Sequence, residues 1–189
     1  MTTTDRDYIK KLEKIEQIDI NRLEKINIDE LEEDELKKLY EVLDKFNDYV
    51  YEFVINYYKY IYKSKDYGTN MNLSMLEAHL ITDIADNPGI TANVLAKKWD
   101  KTPAFISQRL TSLEKNDLIY RELNSENRKY YNLYVTKKGK DFDLRHKKYD
   151  IKSIITTNKK LMEKFSFADI VKMRMMLQEY SNIILSEKE

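Results

Sequence analysis

The sequence predicts a mainly α-helical fold carrying one small β-hairpin. Three observations point there. Apolar residues recur at three- and four-residue steps over most of the chain. The 189 residues hold only three Gly and two Pro, too few for the turns of a β-sandwich or for a glycine-looped nucleotide fold. Strand-like runs occur in one place only, between about residues 118 and 135. The length suits one large domain or two small ones and can bury a core without disulfides.

Composition removes whole classes of chemistry. There is no Cys, which excludes disulfide frameworks, thiolate metal sites and thiol redox switches. The two histidines, His79 and His146, stand far apart in sequence with no carboxylate–histidine motif around either, so no metal site and no cofactor are expected. No phosphate-cradling glycine loop, G-x-S-x-G elbow or zinc-protease helix is present, and the chain reads as a non-enzyme. The N-terminal segment MTTTDRDYIKKLEK has no apolar signal core, and the most apolar run, Tyr49 to Tyr62, is broken by Glu52, Asn56 and Lys59. No membrane segment and a cytoplasmic location are therefore expected.

Lysine plus arginine and aspartate plus glutamate both number 33, but the neutral total hides an asymmetry. Residues 1–52 carry 16 acidic and 9 basic side chains, a balance of −7. Residues 101–140 carry 9 basic and 4 acidic, a balance of +5. Local clustering, not the total, governs attraction to a polyanion.

The elements follow in order. Residues 1–31 have imperfectly spaced apolar residues and predict an extension of one or two short helices. Leu36, Leu39, Tyr40, Leu43, Phe46, Val50, Phe53, Val54, Tyr57 and Ile61 mark a long amphipathic helix over 33–63. Asp66 to Asn70, with Gly68, breaks it. Ser74 and Glu77 form a capping box that opens a helix carrying Leu76, Leu80, Ile81 and Ile84, which Asn87-Pro88-Gly89 closes. Thr91 is placed to cap a short helix with Val94, Leu95 and Trp99. Thr102 followed by Pro103 starts a third helix that runs to Lys115. Strands are predicted at Leu118–Leu123 and Lys129–Val135, joined by an Asn124–Arg128 loop. Thr136 caps a further helix with Phe142, Tyr149, Ile151 and Ile155 as its buried candidates. Ser166 and Asp169 open the last one, with Phe165 and Ile170 at staple positions and Ile170, Val171, Leu177, Ile183 and Ile184 as its apolar face.

Three helices over 73–116 followed by a hairpin make a winged helix-turn-helix, in which the third helix enters the DNA major groove. Ile106, Leu110 and Leu113 form one stripe of that helix and face the core. Rotation of about 100° per residue puts Ala104, Gln108, Thr111 and Lys115 opposite, flanked by Phe105, Ser107, Arg109 and Ser112. Amide, hydroxyl and cationic groups are what base edges and phosphates require, and Pro103 and Ala104 keep the leading end slim. The candidate DNA contacts are Thr102, Pro103, Ala104, Ser107, Gln108, Thr111, Ser112 and Lys115 on the helix. Arg121, Arg128 and Lys129 are the candidates on the wing.

The stretch Leu73 to Lys140 resembles the MarR family of bacterial transcriptional regulators. The likeness runs through ITANVLAKKWDKTPAFISQRLTSLEKNDLIYRE and NSENRKYYNLYVTKKGKDF, including the helix entry Val135-Thr136-Lys137-Lys138-Gly139. Three positions depart from the family pattern: Asn127 and Lys129 replace Asp and Arg, and Asp117 stands where Gly is usual. The resemblance implies a homodimer whose two recognition helices read a pseudo-palindromic operator on double-stranded DNA. It divides the chain into an extension (1–31), N- and C-terminal dimerisation helices (32–70 and 140–189) and the winged helix (71–139). It further implies a repressor, with a small aromatic effector as a candidate ligand near Tyr57, Tyr58, Tyr62 and His79. Two alternatives stay open: a winged-helix protein acting through protein partners, and a non-specific architectural DNA binder.

Overall fold

Local capping chemistry sets where the helices begin. The structure, a computed structural model, describes residue 23, residues 25–125, residue 128 and residues 130–186. The short helices predicted over residues 1–31 lie mostly outside these; the part described holds a single 3-10 turn, Ile28–Glu30. The chain divides into two units, Met1–Tyr60 and Ile61–Glu189. The first is dominated by helix α1, Glu33–Tyr62, whose last residues enter the second. Its Phe53, Val54, Tyr57 and Tyr58 are exposed.

The second unit holds the winged helix. A ribbon of β1 (Lys65–Asp66) and β2 (Asn72–Leu73) precedes α2 (Met75–Asp86), α3 (Ala92–Lys98) and α4 (Pro103–Lys115). The antiparallel hairpin β3 (Ile119–Leu123) and β4 (Tyr131–Val135) follows, with Ile119 opposite Val135 and Leu123 opposite Tyr131. Helices α5 (Lys137–Met162) and α6 (Phe167–Ser186) end the described chain. Leu80, Ile81 and Ile84 of α2, Leu95 of α3, the Ile106–Leu110–Leu113 stripe of α4, Leu133 of the wing and Phe142 of α5 form one buried core. The mainly α fold with a β-hairpin wing is therefore as predicted.

Four predicted caps are formed, that of Thr102 at the start of α4 among them. Ser74 and Glu77 make the reciprocal capping box, with Ser74 N donating to Glu77 Oε2 at 2.9 Å and Glu77 N to Ser74 Oγ at 3.3 Å. Thr136 Oγ1 accepts from Gly139 N at 3.0 Å. Ser166 and Asp169 bond in the same reciprocal way, at 3.0 and 3.2 Å, and these hydrogen bonds hold the Asp169 carboxyl below its usual pKa. Thr91 differs: it occupies the cap position of α3, but its side chain makes no capping bond.

Two expected breaks are present and carry further structure, and two expected buried faces need correction. The break at 66–70 is an ordered turn in which Asp66 Oδ1 accepts from Thr69 N and Asn70 N. It exists to dock Tyr67, which is 3% exposed and meets Phe142, His146 and Tyr149 edge-on. Gly89 does more than end α2. Its N donates to Leu133 O at 2.9 Å, and Leu133 N donates to Ile90 O at 3.0 Å, adding a short third edge to the wing. On α5, Ile151 and Ile155 are exposed and Tyr149 is half-buried, while Asp143 and His146 are buried instead. On α6 only Ile170 is buried; Val171, Leu177, Ile183 and Ile184 are exposed in the single chain. Both helices run past the core, so their apolar periodicity continues where no described residue covers it.

The end of α4 is a Schellman motif. Leu118 N donates to Leu113 O at 3.0 Å and Asp117 N to Glu114 O at 2.9 Å, with Asp117 left-handed at φ 58°. Leu113 and Leu118, both buried, supply the apolar contact that accompanies the motif. A side chain in that conformation is strained, and glycine is not. Asp117→Gly is expected to raise stability by about 1 kcal/mol, seen as a higher urea midpoint; a lower midpoint would mean that the carboxylate compensates the strain.

Candidate nucleic-acid interface

The angle between α2 and the helices after it is held by Asp83. This buried carboxylate on α2 accepts from Trp99 Nε1 at 2.9 Å and pairs with Lys98, which lies at the end of α3. The turn into α4 is tight: Lys101 N donates to Ala96 O at 3.0 Å, and Asp100 takes φ 48°. Thr102 Oγ1 accepts from Phe105 N at 3.2 Å, and Pro103 follows at the first helical position, where its missing N–H costs nothing.

With its stripe buried, α4 turns Ala104, Ser107, Gln108, Thr111 and Lys115 outward, and Thr102 and Pro103 are exposed at its leading end. Ser112 is half-buried. Ser107, Gln108, Thr111, Ser112 and Lys115 line one open groove of about 460 Å³. A neighbouring cleft of about 270 Å³ lies between this helix and the wing.

The wing residues separate. Arg128 is exposed in the hairpin loop; Lys129 lies outside the described residues. Arg121 is not at the tip. Its Nη2 donates to Thr111 Oγ1 at 3.1 Å and its Nε lies 3.3 Å from Glu114 Oε2, so it ties β3 to α4. Thr111 in turn donates to Ser107 O at 2.9 Å. Arg109 lies against α2, 3.7 Å from Glu77 Oε1, with its guanidinium over the Phe105 ring.

Sequence reasoning missed four residues at this surface. Thr91, Asn93, Tyr130 and Tyr131 line the cleft beside Ser107 and Arg121. The uncommitted hydroxyl of Thr91 and the exposed position of Asn93, both at the start of α3, could have suggested the first two. The strand alternation of the wing places the tyrosines but does not say that the helix will face them.

The reading that no carboxylate–histidine cluster surrounds either histidine is overturned. His79 and His146 stack edge-on with ring centroids 4.9 Å apart, and Asp150 joins both. Burial pushes the His146 imidazole below its usual pKa, against the opposing pull of Asp150. One position on α2 and two positions a turn apart on α5 bring the three together, a pairing invisible to local spacing.

A helix-turn-helix with a hairpin wing and an exposed polar face on its third helix defines the winged-helix class. The model of the MarR family matches residues 73–131, the segment that holds the winged helix. A curated relative from Bacillus subtilis (strain 168), the uncharacterized HTH-type transcriptional regulator YhjH, is 30% identical over 88 residues. That alignment covers 47% of this chain, which spans about half the length of the relative. Two solved structures share the fold. Streptococcus pneumoniae FabT, solved in complex with DNA, aligns with a TM-score of 0.57 at 21% identity over 76% of this chain and 98% of its own. A MarR family transcription regulator aligns with a TM-score of 0.58 at 13% identity over 79% and 92%. Among the described residues no helix is long and apolar enough to cross a membrane.

The bonds of Arg121 predict a structural cost to its loss. Arg121→Ala is expected to lower stability by about 1 kcal/mol and to speed amide exchange in β3; an unchanged exchange rate would mean that the wing is held by its ladder alone.

Proposed function

We propose that the chain is a sequence-specific DNA-binding transcriptional regulator, acting as a homodimeric repressor on a pseudo-palindromic operator. The observation that carries this reading is the face of α4: five polar or small side chains point outward from a helix whose opposite stripe is fully buried, beside a hairpin with an arginine in its loop. Gln108 is the residue best suited to a base edge, since its amide matches adenine bidentately. Thr102, Pro103, Ala104, Ser107, Thr111, Ser112 and Lys115 complete the helix surface, with Ser107 and Lys115 suited to phosphates. Arg128 and Lys129 are assigned to the wing contact with the adjacent minor groove or its phosphates. Arg121 orients the wing and reaches DNA only if it exchanges its present partners. The DNA complex of FabT, a protein of the same fold, favours this reading over a docking module for proteins.

Apolar side chains left exposed among the described residues support the dimer. Met175, Met176, Ile183, Ile184 and Leu185 of α6 are all exposed, and so much exposed apolar surface on one helix favours an association surface. In this proposal residues 32–70 and 140–189 form the dimer layer, residues 71–139 read DNA, and residues 1–31 are an appended extension. A two-fold axis would place two α4 helices about one turn of DNA apart.

Fluorescence anisotropy tests the proposal, with duplex DNA from upstream of the gene against scrambled DNA at two salt concentrations. Preference for the upstream duplex by several orders of magnitude is expected; equal affinity for both would replace the regulator with an architectural binder. Gln108→Ala should cost about 1–3 kcal/mol of discrimination at one base pair of each half-site, and uniform weakening across sequences would remove its base-reading role. Arg128→Ala should weaken all duplexes and reduce the salt slope by about one unit; an unchanged slope would take Arg128 off the phosphates.

A further inference from the structure

Helices α2 and α5 bring three metal-ligating side chains to one point. His79 stands on α2. His146 and Asp150 are four residues apart on α5 and therefore share a face. Asp150 Oδ2 lies 3.3 Å from His146 Nε2 and 3.8 Å from His79 Nε2, and one donor atom from each of the three falls within 4.8 Å of the others. A tetrahedral divalent metal with bonds of about 2.0–2.2 Å to nitrogen and oxygen sets its donors about 3.4 Å apart. Two separations are already close to that edge. The third would close by a rotation of His79, whose side chain is 31% exposed.

The hydrogen bonds behind His146 select its tautomer. Thr82 Oγ1 donates to Asp143 Oδ1 at 2.8 Å, so toward His146 Nδ1, 3.2 Å away, the hydroxyl is an acceptor. Nδ1 then carries the ring proton, and Nε2 presents a lone pair. Asp143 is held in turn by Lys147 Nζ at 2.8 Å, the outer-shell arrangement that fixes a ligating imidazole. His146 is 1% exposed, and its Nε2 is buried without a hydrogen-bond partner while facing the Asp150 carboxylate. A bare lone pair against a carboxylate oxygen is repulsive. A cation placed between them satisfies both.

We propose that His79, His146 and Asp150 form a binding site for a divalent transition metal of the zinc, cobalt and nickel class. Two imidazoles and one carboxylate suit such ions better than calcium or magnesium, which take oxygen donors. The buried His146 closes one side, and the partly exposed His79 and Asp150 leave an open side for entry and for a fourth ligand such as water. The ion would bridge α2 and α5.

The chain supplies its own reporter. Trp99, its single tryptophan, has its ring 5.9 Å from the His79 imidazole. Full-length protein freed of metal is titrated with Co²⁺ and with Zn²⁺, following Trp99 emission, visible absorption of bound Co²⁺ and thermal unfolding. Uptake of one ion per chain is expected, with emission and Co²⁺ absorption saturating together and the melting temperature rising. His79→Ala and Asp150→Asn, at partly exposed positions, should each fold normally by circular dichroism and bind at least about tenfold more weakly. No uptake, or uptake undiminished in both variants, would overturn the site. Equal affinity for Mg²⁺ or Ca²⁺ would overturn the class of metal.

Discussion

The architecture of the winged-helix unit depends on one close backbone crossing, where Leu118 passes Gly139. A Cβ on residue 139 would come within 1.9 Å of the Leu118 carbonyl oxygen, so only glycine permits the approach. Around that crossing the chain ties itself repeatedly. Thr136 N donates to Leu118 O at 3.0 Å, Thr136 Oγ1 to Asp117 O at 2.7 Å, and Lys138 Nζ to Asn116 O at 2.8 Å. These bonds pair the carbonyls of the turn that follows α4. They also join the end of α4, the first strand of the wing and the start of α5 at one point. The outward face of α4 and the wing beside it are thus registered by backbone, and Arg121 adds a side-chain strut farther out.

This explains which features were legible in the sequence. Caps and breaks are local: Ser74 with Glu77, Thr102 with Pro103, Thr136 with Gly139 and Ser166 with Asp169 each act within three residues, so their spacing predicts the helix starts. The buried stripe of α4 was legible for the same reason, since one helical period fixes both the face that packs and the face left outward.

What was not legible depends on contacts between distant segments. Periodicity marked Ile151 and Ile155 as apolar but could not say that α5 outruns the core before reaching them. Tyr67 gave no local sign that a turn would be ordered by burying its ring against α5. Arg121 looked like a wing cation because its charge was visible and its Glu114 partner was not. The two histidines are 67 residues apart, and only the packing of α2 on α5 makes them neighbours.

Helix α2 makes contacts in two directions, to the helix-turn-helix and to α5. One of its carboxylates, Asp83, grips Lys98 and Trp99 and so sets the helix-turn-helix angle. One residue earlier, Thr82 reaches the opposite way to Asp143 and His146 on α5. His79, a turn before, touches both sides at once, with Trp99 at 5.9 Å and His146 at 4.9 Å. A cation drawn between His79, His146 and Asp150 would therefore pull on the same short segment that positions α3 and, through the Trp99–Thr102 turn, α4. Coupling of this kind needs no long pathway. It needs only that α2 take two positions against α5, with the reading surface following the one that the ligand favours.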